Sequence, residues 1–270
     1  MPANDVAFTG AIPTLYDTYL VPLIFAPYAA DLVARLPASG LAAVLEIAAG
    51  TGVVTRALAA ALPASVSIVA TDLNPAMLER AAAVGTARAV EFRVADAMQL
   101  PFADATFDAV VCQFGVMFFP DKARAFAEVR RVLRPGGVFL FNVWDRLEAN
   151  EFAATVMPVL AALFPGDPSA FMARAPHSYH DRATVERDLA AGGFLAPPQM
   201  ATVATHARGE SARTVATAYC QATPVRGEIE SRGPGRLHEA TDAAAAALEQ
   251  RFGSGPIEGR IQAHVFAVAG

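Results

Sequence analysis

Lysine occurs once in the 270 residues, at Lys122, and cysteine twice, at Cys112 and Cys220. With no CxxC pair and no histidine-rich partner segment, the two cysteines support neither a disulfide framework nor a zinc site, and we expect no metal. Basic side chains number 21 against 26 acidic ones, and none of them forms a continuous stripe that could track phosphates. Duplex nucleic acid is therefore a poor candidate substrate, and we expect no nucleic-acid partner. The near-absence of lysine reads as a bias towards arginine and carries no functional weight. No apolar run approaches the roughly 18 residues of a membrane span, and Met1 to Gly10 lack the basic and apolar regions of a secretory leader, so the expected compartment is the cytoplasm.

What is abundant is apolar side chain, at 54% of residues against 17% charged, enough to bury a substantial core. Its arrangement alternates between strand and helix periods. Leu41 to Ala49 reads as a strand ending at Gly50-Thr51-Gly52, and Val53 to Leu62 as the helix that follows. Val66 to Ala70 is a second strand closing on Thr71-Asp72, and Asn74-Pro75 caps a helix through Ala83. Val90 to Val94 leads to Asp96, and Phe107 to Gln113 is a buried strand. A helix from Asp121 to Leu133 is broken by Arg134-Pro135-Gly136-Gly137 before a strand over Val138 to Val143. This succession implies a mostly parallel sheet covered on both faces.

After Trp144 the alternation loosens. Helices are expected over Asn150 to Phe164, Thr184 to Ala191, Ser211 to Gln221 and Leu237 to Phe252. A Pro/Gly break falls at Pro165 to Pro168, and strands at Met200 to His206 and Gln262 to Val268. No internal repeat is present.

A glycine pair between a strand and its helix lets backbone approach a ligand closely, and the helix start offers unpaired N–H groups. The dinucleotide fingerprint fails, because Thr55 stands where a third glycine belongs, which demotes an NAD-type oxidoreductase. Asp72, at the end of the second strand, is placed to accept from both ribose hydroxyls of an adenosine, in either kind of adenosyl cofactor.

Three segments distinguish the two. Glu46-Ile47-Ala48-Ala49-Gly50-Thr51-Gly52 is the first. Val94-Ala95-Asp96-Ala97 with Leu100-Pro101-Phe102 and Phe107-Asp108 is the second, and Val132-Leu133-Arg134-Pro135-Gly136-Gly137 the third. Together they resemble class I S-adenosylmethionine (SAM)-dependent methyltransferases of the ubiquinone/menaquinone-biosynthesis-like (type 11) group, over approximately Tyr16 to Val143. The resemblance implies an α/β, Rossmann-like seven-stranded mostly parallel sheet with helices on both faces and helical lid or insertions. It also implies SAM as cofactor and S-adenosylhomocysteine as product. One methyltransferase domain is expected over 1–270, with a core at about 41–145 and 181–270, an N-terminal helical cap at about 8–36, and insertions at about 146–180 and 211–256.

The same resemblance puts Glu46, Ala48, Gly50 and Gly52 around the methionyl group, Asp72 on the ribose, and Asp96 with Ala97 at the adenine edge. Leu73 and Met98 would flank the adenine ring. The backbone carbonyl of Gln113 would meet the methionine amino group, and Arg56 or Tyr19 its carboxylate. Ala48 departs from the family's common form, which has glycine there, and narrows the loop without abolishing binding.

Methyl transfer from a sulfonium is an in-line displacement in which the protein mainly positions the acceptor and excludes water. A base is needed only where the acceptor keeps its proton. His177, Tyr179 and His180 are the candidates, although Asp181 reads as a helix cap and leaves its neighbours open to being ordinary loop residues. The acceptor is expected to be small and apolar or aromatic, near Gln113 and Asn142 at the carboxyl ends of strands four and five. Phe114, Phe118 and Phe119 would floor the site, with burial against the sheet as the equal alternative. The Tyr16–Tyr19 stretch, Asn150 to His180 with Phe171, and the helices after Ser211 are free to cover it, although Asn150 to Phe171 reads equally as an amphipathic helix packed on the core. The acceptor's identity and the oligomeric state are not legible. Two cysteines are too few for the several thiols of an arsenite methyltransferase. A non-catalytic SAM-binding domain is the other alternative.

Overall fold

The computed structural model describes residues 8, 10–164 and 171–270. Seven strands form one sheet: β1 (Ala43–Ile47), β2 (Ser67–Asp72), β3 (Glu91–Val94), β4 (Phe107–Gln113), β5 (Leu133–Trp144), β6 (Gln199–Gly209) and β7 (Ile257–Ala269), in the order β3-β2-β1-β4-β5-β7-β6. The pairs β2–β3, β1–β2, β1–β4 and β4–β5 are parallel. β7 runs against β5, because its partners fall from Gly270 to Gln262 as those on β5 rise from Gly137 to Asp145. Chain order reverses between β1 and β4, and in open α/β sheets ligands bind beyond the carboxyl ends of the strands at such a reversal.

The contacts divide the chain into two compact units. The first takes in Ala26–Val143, Tyr179–Val203 and His264–Gly270. Alternation along its strands fills two faces. Val44, Ile68, Ala109, Val111, Leu140 and Val265 pack with Ala29 and Leu32 of the helix Ala26–Ala34 and with Val54 and Leu58 of Val53–Ala61. On the opposite face Phe139 and Phe141 stack together and meet Phe126 of the helix Lys122–Val132, Phe194 and Phe266. Helices therefore cover both faces. The expected caps are in place: Asn74 accepts from the Ala76 amide, Asp121 from Arg124, and Asp181 from Thr184.

The second unit comprises Met1–Phe25, Trp144–Ser178 and Ala204–Ala263. In it the helices Glu151–Leu163, Ala212–Gln221 and Arg236–Phe252 pack on one another. The stretch Tyr16–Phe25 is π-helical around Pro22, whose missing N–H an ordinary α-helical ladder would leave as a gap.

Two sequence expectations are corrected. The Arg134–Gly137 segment does not stand outside the fifth strand, since β5 begins at Leu133 and bulges against Phe107 and Ala109. Gly136, at φ +80°, allows the bulge, and Arg134 anchors it on Asp108 at 2.6 Å. β7 likewise begins at Ile257, earlier than Gln262. Its first residues alternate buried Ile257 and Gly259 with exposed Glu258 and Arg260, and a side chain at Gly259 would meet the Phe152 ring at 2.8 Å. The short helices Phe171–Arg174 and Val225–Glu230 were not anticipated. The expected break at Pro165 to Pro168 lies outside the described residues.

Candidate functional site

The chain leaves β1 through three left-handed positions, Ala48 at φ +54°, Gly50 at +57° and Gly52 at +83°. Two are glycine, which pays nothing for that conformation, and Ala48 pays of order 1 kcal/mol. The Ala49 amide donates to the Thr71 carbonyl at 2.9 Å and the Gly50 amide to Asp72 Oδ2 at 2.8 Å, so the loop is tied to the end of β2. Gly52 precedes the helix Val53–Ala61 without a side-chain cap, so no N-cap side chain claims that helix's first-turn N–H groups. The Thr51 hydroxyl, buried beside them, has no hydrogen-bond partner among the described residues.

Beneath the loop sits Glu46, 1% exposed, which accepts from Thr55 Oγ1 at 2.5 Å. Burial pushes its pKa up to about 8, against the hydrogen bond from Thr55; Asp72 adds to the rise and Arg56 opposes it. Thr55 is the residue that broke the dinucleotide fingerprint. Where a glycine would bring helix and strand together, its hydroxyl fills the space and holds the carboxyl. The Arg56 guanidinium is turned to the Thr51 carbonyl at 2.7 Å.

Asp72 accepts the Gly50 amide at Oδ2 and the Asn74 amide at Oδ1, with the Leu73 amide also facing it, and the carboxylate keeps acceptor capacity for a further donor. Burial raises the Asp72 pKa, while the amides of Asn74, Gly50 and Leu73 hold it down. Leu73 follows with 59% of its surface exposed, an uncommon position for leucine and a ready apolar face. Asp96 accepts from the Met98 amide at 2.8 Å, which folds Asp96, Ala97 and Met98 into a half-buried turn at the end of β3. This carboxylate bonds within its own turn, whereas Asp72 also ties the loop after β1 through Gly50.

Gln113 ends β4 in register with Asn142 on β5. Asn142 is fully buried, its Oδ1 accepts from the Phe114 amide at 2.9 Å, and that bond fixes its Nδ2 as the remaining donor. No acceptor for Nδ2 exists among the described residues. Phe114 itself sits at φ +51°, a strained value for an aromatic residue. Gly115 then passes so close to Ala48 that a Cβ would lie 2.5 Å from the alanine methyl. Phe119 is buried and Phe118 half-buried, in and after the single turn Val116–Phe118.

The candidate bases are each engaged by the fold. His177, in the second unit, bonds through Nδ1 to the Asp145 carbonyl at 2.7 Å, which requires the proton on Nδ1 and puts the neutral ring's lone pair on Nε2. Tyr179, in the first unit, donates to Asp188 Oδ2 at 2.9 Å, with the Lys122 ammonium 4.7 Å from its ring centroid. Burial and the Asp188 charge drive its pKa upward, away from any role as a base near neutral pH. His180 is half-buried in the loop before the Asp181 cap, and Tyr19 is half-buried in the π-helical stretch. The described residues contain no cluster of His, Cys, Asp or Glu able to hold a metal ion.

A loop of left-handed residues tied to a strand-end carboxylate, with an exposed apolar side chain following, suits an adenosine carrying an amino-acid tail. Residues 45–141 match the profile of a methyltransferase domain. The chain is 32% identical over 165 residues to the ubiquinone/menaquinone biosynthesis C-methyltransferase UbiE of Ralstonia pickettii, covering 56% of this chain and 66% of that one. It is 30% identical over 168 residues to a demethylmenaquinone methyltransferase of Corynebacterium kroppenstedtii, covering 56% and 67%. The chain belongs to the class I SAM-dependent methyltransferases. Among solved structures, the YcgJ protein of Bacillus subtilis aligns with a TM-score of 0.56 at 19% identity, over 90% of this chain and 98% of that one, which shows the shared fold. The chain spans two thirds or less of the length of the first curated relatives it matches.

Membership of this family sets aside the NAD-type alternative and makes SAM the cofactor. The residues present fit it: the loop supplies free helix-start amides and the unpartnered Thr51 hydroxyl, and Asp72 retains acceptor capacity. Sequence reading passed over Thr51 and the hydroxyl role of Thr55. Thr55 lies nine residues after Glu46, on the helix facing β1, and that spacing was the available signal.

Proposed function

We propose that the chain transfers a methyl group from SAM to a small, apolar or aromatic acceptor that carries an oxygen. The observation that carries this reading is the loop from Ala48 to Gly52 bound through Gly50 to Asp72, a carboxylate with capacity left for ribose hydroxyls. In this reading Gly50 and Gly52, with Ala48 and Glu46, surround the methionyl group. Leu73, Asp96, Ala97 and Met98 border the adenine. The Gln113 carbonyl takes the amino group, and Arg56 or Tyr19 the carboxylate. The cofactor's sulfonium supplies an activated methyl carbon, so the protein's own work is orientation and exclusion of water.

The acceptor assignment rests on the carboxyl ends of β4 and β5. There one buried donor, Asn142 Nδ2, stands with Phe114, Phe118 and Phe119, a composition suited to an apolar ring bearing a single oxygen. The names of the two relatives, which concern quinone biosynthesis, support an acceptor of quinol type. Of the three side chains considered for proton removal, His177 has the fitting chemistry, with its lone pair on Nε2. The absence of a basic stripe supports a small molecule over a nucleic acid. Among the described residues no helix is long and apolar enough to cross a membrane, and we place the activity in the cytoplasm, with the whole chain acting as one methyltransferase domain.

The test is transfer of labelled methyl from SAM to a panel of short-chain quinols, phenols and aliphatic amines. Turnover with the oxygen-bearing aromatic members is expected, and turnover with the amines alone would overturn the acceptor assignment. Asn142→Leu should leave S-adenosylhomocysteine affinity within about twofold and stability within about 1 kcal/mol, since removal of a buried unpaired donor offsets loss of the Oδ1 acceptor of the Phe114 amide. Acceptor turnover should fall by about tenfold or more. A variant with full turnover would remove Asn142 from the site.

A further inference from the structure

The carboxyl of Glu46 is sealed from water, and its partner is a hydroxyl, Thr55 Oγ1 at 2.5 Å, rather than a cation. No ion pair reaches it among the described residues. The groups that face it come from three elements. The helix Val53–Ala61 contributes Thr55 and Arg56, β2 contributes Asp72, and β4 contributes the buried thiol of Cys112. Arg56, the one cation of the set, spends its nearest donor on the Thr51 carbonyl, and Asp72 brings a second carboxylate to the same neighbourhood. Burial without a paired cation and with a like charge nearby favours the uncharged carboxyl.

We infer that Glu46 holds a proton while the site is empty and gives it up to solvent when the ammonium group of a methionyl ligand arrives, so that cofactor binding is coupled to proton release. The inference rests on the reading above, which sets Glu46 beside the methionyl group. No covalent bond to the ligand is involved: the Glu46 O–H bond breaks, the proton passes to buffer, and the carboxylate left behind is neutralised by the incoming ammonium. An uncharged site of this kind avoids a bare buried carboxylate in the free protein, and it answers to the ammonium, the cationic one of the two charged groups that a methionyl nucleoside carries and a plain adenosine lacks. Burial raises the group to about pKa 8, so at pH 7 most of the empty protein carries the proton.

The experiment is calorimetric titration of the full chain at pH 7 with S-adenosylhomocysteine, SAM and 5′-methylthioadenosine, in buffers of different ionisation enthalpy. The first two should each release close to one proton. 5′-Methylthioadenosine, which lacks the ammonium and the carboxylate, should release none. Between about pH 6 and 8 the affinity for S-adenosylhomocysteine should rise by up to about tenfold per unit. Glu46→Gln should bind without buffer dependence and with a flat pH profile. Infrared difference spectra of the wild-type chain give a second readout that needs no variant, the loss of a protonated carboxyl band on binding. Binding of S-adenosylhomocysteine with no proton release and no loss of that band overturns the inference alone. Equal release with 5′-methylthioadenosine overturns the ammonium assignment. No binding of any of the three overturns the cofactor reading together with this inference.

Discussion

Two sets of residues carry the chemistry legible in this chain, the strand-end carboxylates Glu46, Asp72 and Asp96 and the trio His177, Tyr179 and His180, and the fold treats them differently. Asp72 is held by backbone amides that shape a loop, and its oxygens retain capacity for a ligand. Tyr179 is held by a side chain that takes its only proton, and His177 by a carbonyl that takes one of its two ring positions. A backbone amide makes one bond to a carboxylate and leaves three lone pairs. A carboxylate paired to a phenol leaves the phenol nothing to donate. The hydrogen-bond partner therefore decides whether a polar side chain keeps capacity for a ligand, as Asp72 does, or spends it on the fold, as Tyr179 does.

The sharpest way to break this contrast is Asp72→Ala. Loss of charge-assisted bonds to ribose should weaken S-adenosylhomocysteine binding by roughly 2–4 kcal/mol, with the circular dichroism spectrum unchanged. An unaltered dissociation constant would return Asp72 to the architectural class. Next in size is Gly115→Ala, whose Cβ would lie 2.5 Å from the Ala48 methyl and 2.7 Å from Cys112 Sγ. Neither neighbour is the end of a flexible chain, so denaturant melts should show a loss of about 2–3 kcal/mol, and adding Ala48→Gly should recover part of it.

Glu46→Gln sharpens the contrast through pH. Because the folded pKa is raised above the unfolded one, the proton stabilises the native state fully below about pH 4, and this contribution declines as pH rises towards 8. The glutamine variant keeps an uncharged acceptor for Thr55 throughout. Its stability relative to wild type should grow across that window, reaching about 1–3 kcal/mol above pH 8 in thermal melts. A constant difference from pH 5 to 9 would mean that Glu46 is charged in the folded protein. The smallest effect belongs to Tyr179→Phe. Stability should fall by about 0.5–1.5 kcal/mol as Asp188 loses a donor, with methyl transfer within about twofold of wild type. A loss of a hundredfold or more in turnover would place the hydroxyl in the chemistry.

Sequence period and punctuation located the strands that position the site because their signals are local. Phe107 to Gln113 is a continuous apolar run, Asn74-Pro75 announces a helix start, and the glycines of the first loop mark the turn where φ becomes positive. The signals that failed depend on distant partners. Gly136 breaks a helix in any local reading, yet here it bulges a strand anchored by Arg134 on Asp108. Gly259 hides the start of β7 because its reason for being glycine is the ring of Phe152, far away in sequence. The position of Asp72 beside the first loop was legible from its spacing to the glycines, and the bond from the Gly50 amide bears that position out. The unpartnered Thr51 hydroxyl and the Asn142 amide were not legible, since satisfaction of a polar group is a property of packing.

The most direct test of the central claim is a parallel titration of the wild-type chain with S-adenosylhomocysteine and NAD. The loop tied to Asp72 predicts saturable one-to-one binding of S-adenosylhomocysteine and binding of NAD weaker by at least about a hundredfold, near 3 kcal/mol. Comparable affinity for both, or binding of NAD alone, would contradict it.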